Sequence, residues 1–196
     1  MNSSTSLFYD RFANFYPVVD VFLRQHKKEM VELINGLPSG DLLEIGVGTG
    51  SQLHHYRGHH IRAIDSSKKM LDRAKRRNLK HIEFYEMSGE SLSFGDLTFD
   101  YIVLSHVLSV VDKPELVLKE CSRVLRPNGK IIVLNHFTPN NWLRYFDMSF
   151  RNVSKVFKFN AHFEQAQLKG LEHFHLEQEV SLGRFSYFKM LVFTKE

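Results

Sequence analysis

The sequence predicts an α/β fold built on a mainly parallel sheet with helices on both faces. Three observations predict it. From residue 42 to residue 134, short apolar runs alternate with stretches of helical period. The first run, Leu42-Leu43-Glu44-Ile45, breaks into Gly46-Val47-Gly48-Thr49-Gly50, with glycine at alternate positions. About 20 residues further on, where an open α/β sheet would end its second strand, the next apolar run stops at Asp65.

Taken in order, the chain opens with a helical segment from Leu7 to Leu37, which Pro17 divides and Gly36, Pro38 and Gly40 close. Strands are expected at Leu42 to Ile45, Ile61 to Ile64, Ile82 to Tyr85, Tyr101 to Leu104 and Lys130 to Leu134. Ser66 or Ser67 can cap a helix that turns Met70, Leu71 and Ala74 inward. Asp112 and Glu115 have the spacing of a capping box around Pro114, ahead of a buried stripe of Val117, Cys121, Val124 and Leu125. Pro127-Asn128-Gly129 forms a turn into the fifth strand. Residues Asn141 to Phe159 mix Trp142, Tyr145, Phe146 and Phe150 with Arg144, Arg151, Lys155 and Lys158, and read either as a helical cover on the sheet or as a basic aromatic surface. Two last strands follow, around Leu171 to Val180 and Phe185 to Phe193.

The 196 residues fit one domain: a helical lid over residues 1–40, a nucleoside-binding core over 41–136, and a cover with the final strands over 137–196. One cysteine, Cys121, excludes an intrachain disulfide framework and suits a reducing compartment. With no apolar run near the roughly 20 residues of a membrane span and no signal-peptide pattern, the chain reads as cytoplasmic. A net charge of +4 and 17 phenylalanines leave room for peripheral contact with an anionic membrane.

The chemistry starts at the glycines. Lacking Cβ, they let a strand turn sharply into the next segment beneath a bound nucleoside, and Asp65 stands where a carboxylate accepts both ribose hydroxyls. Ser51 occupies the position of the third glycine in a dinucleotide fingerprint, which argues against a nicotinamide cofactor. Glu44, inside a strand, calls for a donor or a positive charge, which a sulfonium ligand carrying an ammonium supplies and a pyrophosphate does not.

The run E-I-G-V-G-T-G followed by A-I-D resembles the first two motifs of the class I S-adenosylmethionine (SAM) methyltransferases. The resemblance implies a seven-stranded, Rossmann-like sheet with an antiparallel last strand, with SAM as cofactor and S-adenosylhomocysteine as product. It makes Glu44, Gly46, Gly48, Gly50, Asp65 and Ser66 cofactor residues; Met70 is either an adenosine contact or plain core. Adenine recognition in that superfamily resembles Glu86-Met87-Ser88-Gly89-Glu90, which nominates Met87, Ser88 and Gly89. Ser88 stands where an acid often receives the adenine amino group.

Further motifs narrow the likeness. Tyr9-Asp10, then S-H-V-L-S-V-V-D-K-P, R-V-L-R-P-N-G-K-I-I-V-L-N-H-F and S-L-G-R-F-S-Y-F-K-M-L-V-F, is similar to the bacterial phospholipid N-methyltransferases, relatives of the quinone C-methyltransferases. The implied substrate is phosphatidylethanolamine. Ser105 joins the cofactor site; Tyr9, His106 and His136 become candidate catalytic residues, His106 or His136 as proton acceptor. Tyr9 and Tyr16, the latter also a cofactor candidate, can offer ring faces to a methylated ammonium. Asn135, with Arg144, Arg151, Lys155 and Lys158 for the phosphate, completes the substrate set. Methylation of a small soluble amine, phenol or quinone is the second reading, and a non-catalytic SAM-binding protein the third. No nucleic acid partner is expected, since no N-P-P-Y-like tetrapeptide follows the fourth strand, and no metal site is expected.

Overall fold

The structure, a computed structural model, describes residues 16–136, 171, 173–182 and 188–196, with side chains from residue 26 to residue 135 and beyond 170. Tyr9, Arg144, Arg151, Lys155 and Lys158 lie outside the described residues, and of Tyr16 and His136 only the backbone is described. The elements are α1 (Tyr16–Asn35), β1 (Asp41–Ile45), a 3-10 turn (Leu53–His55), β2 (His60–Asp65), α2 (Lys68–Lys75), β3 (Ile82–Glu86), β4 (Phe99–Ser105), α3 (Pro114–Val124), β5 (Leu125–His136), β6 (Phe174–Leu182) and β7 (Phe188–Lys195).

The seven strands form one sheet in the order β3-β2-β1-β4-β5-β7-β6. The first five are mutually parallel, whereas β7 runs antiparallel to both β5 and β6. Successive strand residues point to opposite faces, and both faces are covered, so the central strands are apolar at most positions rather than at alternate ones. Leu43, Ile45, Ile102, Leu104, Ile131 and Val133 meet Val117 and Cys121 of α3 on one side. Leu42, Ala63, Val103, Ile132 and Leu134 meet Met30 and Ile34 of α1 and Leu71 and Ala74 of α2 on the other. Burial pushes the Cys121 thiol up, consistent with a core residue that carries no chemistry.

Two local expectations are corrected. The N-cap of α3 is Lys113, with no side-chain cap bond, rather than Asp112. Pro114 forces the residue before it out of helical geometry, which fixes the start one residue later than the capping-box frame requires. The Lys113 amide instead donates to Glu90 Oε1 at 3.0 Å. Pro127-Asn128-Gly129 lies within β5, where the register against β4 shifts between Phe99 and Tyr101 and Asn128 takes φ 61°.

Strand order reverses at β1, which feeds β2 on one side while β4 lies on its other flank. Crossovers leaving in opposite directions open a crevice beyond the carboxyl ends of β1 and β4. At the opposite pole, Arg126 Nη1 donates to Asp100 Oδ2 at 2.7 Å and to Asp41 Oδ2 at 3.2 Å, tying the starts of β1, β4 and β5 together.

Candidate active site

The crevice at that switch point is lined by Gly46 and Gly48 of the glycine turn, by Asp65 and Ser66 at the end of β2, and by Met70 of α2. Ser88 and Gly89 follow β3, and Ser105 and His106 end β4. These nine residues were all nominated from sequence. Each strand ends at one rim of the sheet, so positions far apart in the chain converge there.

The turn geometry follows from the glycines. Gly46 has φ +69°, and a Cβ on it would stand 2.6 Å from Val107 Cγ2. Gly48 has φ 57°, and its amide donates to Asp65 Oδ2 at 2.8 Å. The Ser67 amide donates to Asp65 Oδ1 at 2.8 Å, so both carboxylate oxygens are fixed by backbone donors. Ser67 also caps α2, its Oγ accepting from the Met70 amide at 3.2 Å. Ser88 Oγ accepts from the Glu90 amide at 3.2 Å, which turns the segment after β3 back toward the crevice. Gly89 lies close under Ile45, whose Cγ2 would be 2.8 Å from an added Cβ.

Charge gives the fit test for the cofactor. Three carboxylates, of Asp65, Glu90 and Asp112, line the crevice, and no lysine or arginine does so among the described residues. Such a site suits a ligand that is cationic at sulfur and nitrogen and repels a pyrophosphate. Asp65 presents a carboxylate to the crevice, and buried Met70 offers an apolar wall.

Four nominated residues lie elsewhere. Gly50 (φ +66°) is structural: its Cβ would be 3.0 Å from both Ala74 Cβ and Leu53 Cδ1, so the glycine lets the turn pack on α2. Met87 packs against the core. Asn135 is wholly buried and accepts from Ser109 Oγ at 3.2 Å. Glu44 faces α1, fully buried, and protein groups stand around its charge: Gln52 Nε2 donates to Glu44 Oε1, and the Lys27 ammonium and Tyr56 hydroxyl lie near. Burial still outweighs these partners and holds the Glu44 carboxyl up at about 7.

His106 takes φ 58° in a non-glycine left-handed turn, where its amide donates to Leu134 O at 2.7 Å and extends the pairing with β5. Its ring meets Phe188 edge-on at 5.7 Å, and Phe188 stacks on His26 at 4.3 Å. Burial holds the His26 pKa down. Sequence reading passed over His26, Lys27, Gln52 and Arg123. The last donates to Leu92 O, Phe94 O, Asp96 and Glu120 and so holds the segment behind Ser88 and Gly89. Only Glu44's unmet need for a donor signalled any of them.

The methyltransferase domain family matches residues 43–133, the span that contains the glycine turn, Asp65 and the ends of β3 and β4. That span is similar to a methyltransferase domain over a little under half of the chain. The chain is 40% identical over 105 residues to a phosphatidylethanolamine N-methyltransferase of Cereibacter sphaeroides, covering 50% of this chain and 51% of that protein. A demethylmenaquinone methyltransferase of Thermotoga maritima is 33% identical over 141 residues, 67% of this chain and 61% of its own. The chain thus spans about half to three fifths of the curated relatives it matches. A SAM-dependent methyltransferase structure from Thermotoga maritima superposes with a TM-score of 0.77 at 22% identity, covering 96% of this chain and 99% of that one, a likeness of fold. The methyltransferase fold implies SAM as the cofactor, and the acid-lined crevice fits it.

Proposed function

We propose that this chain methylates the amine of an ethanolamine phospholipid, phosphatidylethanolamine and its partly methylated forms, at a membrane surface. The observation that carries the reading is the crevice itself: carboxylates, no basic side chain among the described lining residues, and an imidazole at the rim. The 40% identity to a phosphatidylethanolamine N-methyltransferase supports it. In this reading residues 1–40 act as a lid and 137–196 as a cover, with Tyr9 and Tyr16 facing the ammonium and Arg144, Arg151, Lys155 and Lys158 meeting the lipid phosphate.

When bound, SAM supplies a methyl group already activated by its sulfonium. The protein's share is to orient, to exclude water and to manage one proton. Asp65 holds the ribose, Gly46 and Gly48 bring the backbone close, and Ser88 with Gly89 borders the base. An ethanolamine nitrogen is protonated near neutral pH and must lose that proton to become nucleophilic. His106 takes it at a ring nitrogen, or His136 does from the end of β5.

A second reading, methylation of a quinone or phenol, is favoured by the longer alignment with the demethylmenaquinone methyltransferase. There the same imidazole would deprotonate a ring hydroxyl. Incubating the full chain with methyl-labelled SAM and vesicles containing phosphatidylethanolamine tests the proposal, with soluble amines and demethylated quinones as parallel arms. Labelled lipid with mass increments of one methyl is expected; label only in the quinone or soluble arm would overturn it.

A further inference from the structure

A chain of polar groups lies behind the glycine turn, on the sheet face that α1 and α2 cover. Lys27 Nζ of α1 donates to Ser51 Oγ at 3.4 Å. Ser51 Oγ donates to Gln52 Oε1 at 3.1 Å, and Gln52 Nε2 donates to Glu44 Oε1. Each member therefore donates to the next, from an ammonium to a carboxylate. Glu44 is 0% exposed, Gln52 4% and Lys27 7%. A lysine and a glutamate this buried are costly unless held together, and the core around them is otherwise apolar.

The placement of these groups relative to the turn gives them a purpose. Glu44 stands two residues before Gly46, and Ser51 and Gln52 follow Gly50, so the polar chain grips both ends of the turn and fastens them to α1. Between those ends lie the two glycines at the crevice and the Gly48 amide that fixes Asp65. We propose that Lys27, Ser51, Gln52 and Glu44 form a clamp that positions the glycine turn from behind and so sets the affinity of the crevice for its adenosyl ligand. Lys27 is a positioning residue in it, acting through Glu44 and the turn.

The groups facing Glu44 from each packed element are few. Lys27 comes from α1, Gln52 and Tyr56 from the segment around the 3-10 turn, and the flanking strands present Ala63 and Val103. Lys27 is thus the cation opposite this carboxylate among the described residues. Its contribution grows as Glu44 ionises.

The inference rests on the crevice being a SAM site. Titration calorimetry with S-adenosylhomocysteine tests both and separates them. No heat with the wild-type chain would remove the cofactor reading and the clamp's purpose together. With wild-type binding established, Lys27→Met is expected to weaken it about tenfold at pH 8, the loss of one hydrogen-bonded charge from a buried network. Lys27→Arg should recover most of that loss. In a Glu44→Gln background the same Lys27→Met change should have little effect, because the charge it answers is gone. Ser51→Ala, at a half-buried position that tolerates a small side chain, is a second probe and should give an intermediate loss with folding intact. Unchanged affinity in both Lys27→Met and Ser51→Ala would overturn the clamp. So would an equal loss from Lys27→Met with and without Glu44.

Discussion

The amide of Gly48 donates to Asp65 Oδ2 across 2.8 Å, joining the turn after β1 to the end of β2. A second amide, of Ser67, holds the other oxygen. The carboxylate proposed to meet the ribose is thus oriented by backbone from two separate segments, which would remove part of the ordering cost of binding.

Replacing Asp65 by Asn sets its amide NH2 against one of the two backbone donors. Each lost charge-assisted bond is worth roughly 1.5 to 3 kcal/mol, so S-adenosylhomocysteine affinity should fall about 100-fold. Calorimetry on the folded variant reads this directly; affinity within threefold of wild type would contradict it.

Gly46→Ala should destabilise by about 2 kcal/mol, from the left-handed φ and the collision with Val107 Cγ2 together. Adding Val107→Ala relieves only the collision. Urea unfolding of the single and double variants should therefore show partial recovery, with cofactor binding still weaker than wild type.

Glu44 gives the stability curve a sign. Its carboxyl is raised from 4.5 to about 7 on folding, so ionising it opposes the folded state. The penalty is absent below the unfolded value, grows as pH rises from about 4.5 to 7, and is constant above. Glu44→Gln removes this slope, and relative to wild type it should gain on the order of 3 kcal/mol between pH 4.5 and pH 8. Urea titrations of both proteins across that range check it. A wild type that gains stability relative to the variant over the same interval would reverse the assignment.

His106→Asn keeps a residue that accepts a left-handed φ but removes the base. With the lipid amine as substrate, turnover should drop about 100-fold at pH 7 while S-adenosylhomocysteine binding stays within threefold. Steady-state rates over pH 6 to 9 would show the loss shrinking as the amine deprotonates by itself.

The lining of the crevice was legible from sequence because much of it consists of backbone and of one carboxylate at a strand end. Gly46, Gly48 and Asp65 announce themselves by spacing, since only glycine fits a left-handed turn under a ligand. Ser88 and Gly89 were reachable by motif position. Gly50, read as a ligand residue, also lets the turn pack against Ala74, a role with the same sequence signature. The capping-box frame at Asp112 failed because Pro114 restricts its own predecessor.

The sequence by itself determined the alternation of strands and helices, the mainly parallel sheet, and the residues at the carboxyl ends of the strands. These follow from periodicity and from glycine's freedom, both local properties of the chain. Only the tertiary structure decided which face Glu44 takes and what answers its charge. Its neighbour Lys27 is 17 residues away in the helix α1, and a contact between α1 and the back of the glycine turn depends on how a helix is laid across a sheet. Burial and charge pairing across such a distance are set by packing, which no local pattern encodes.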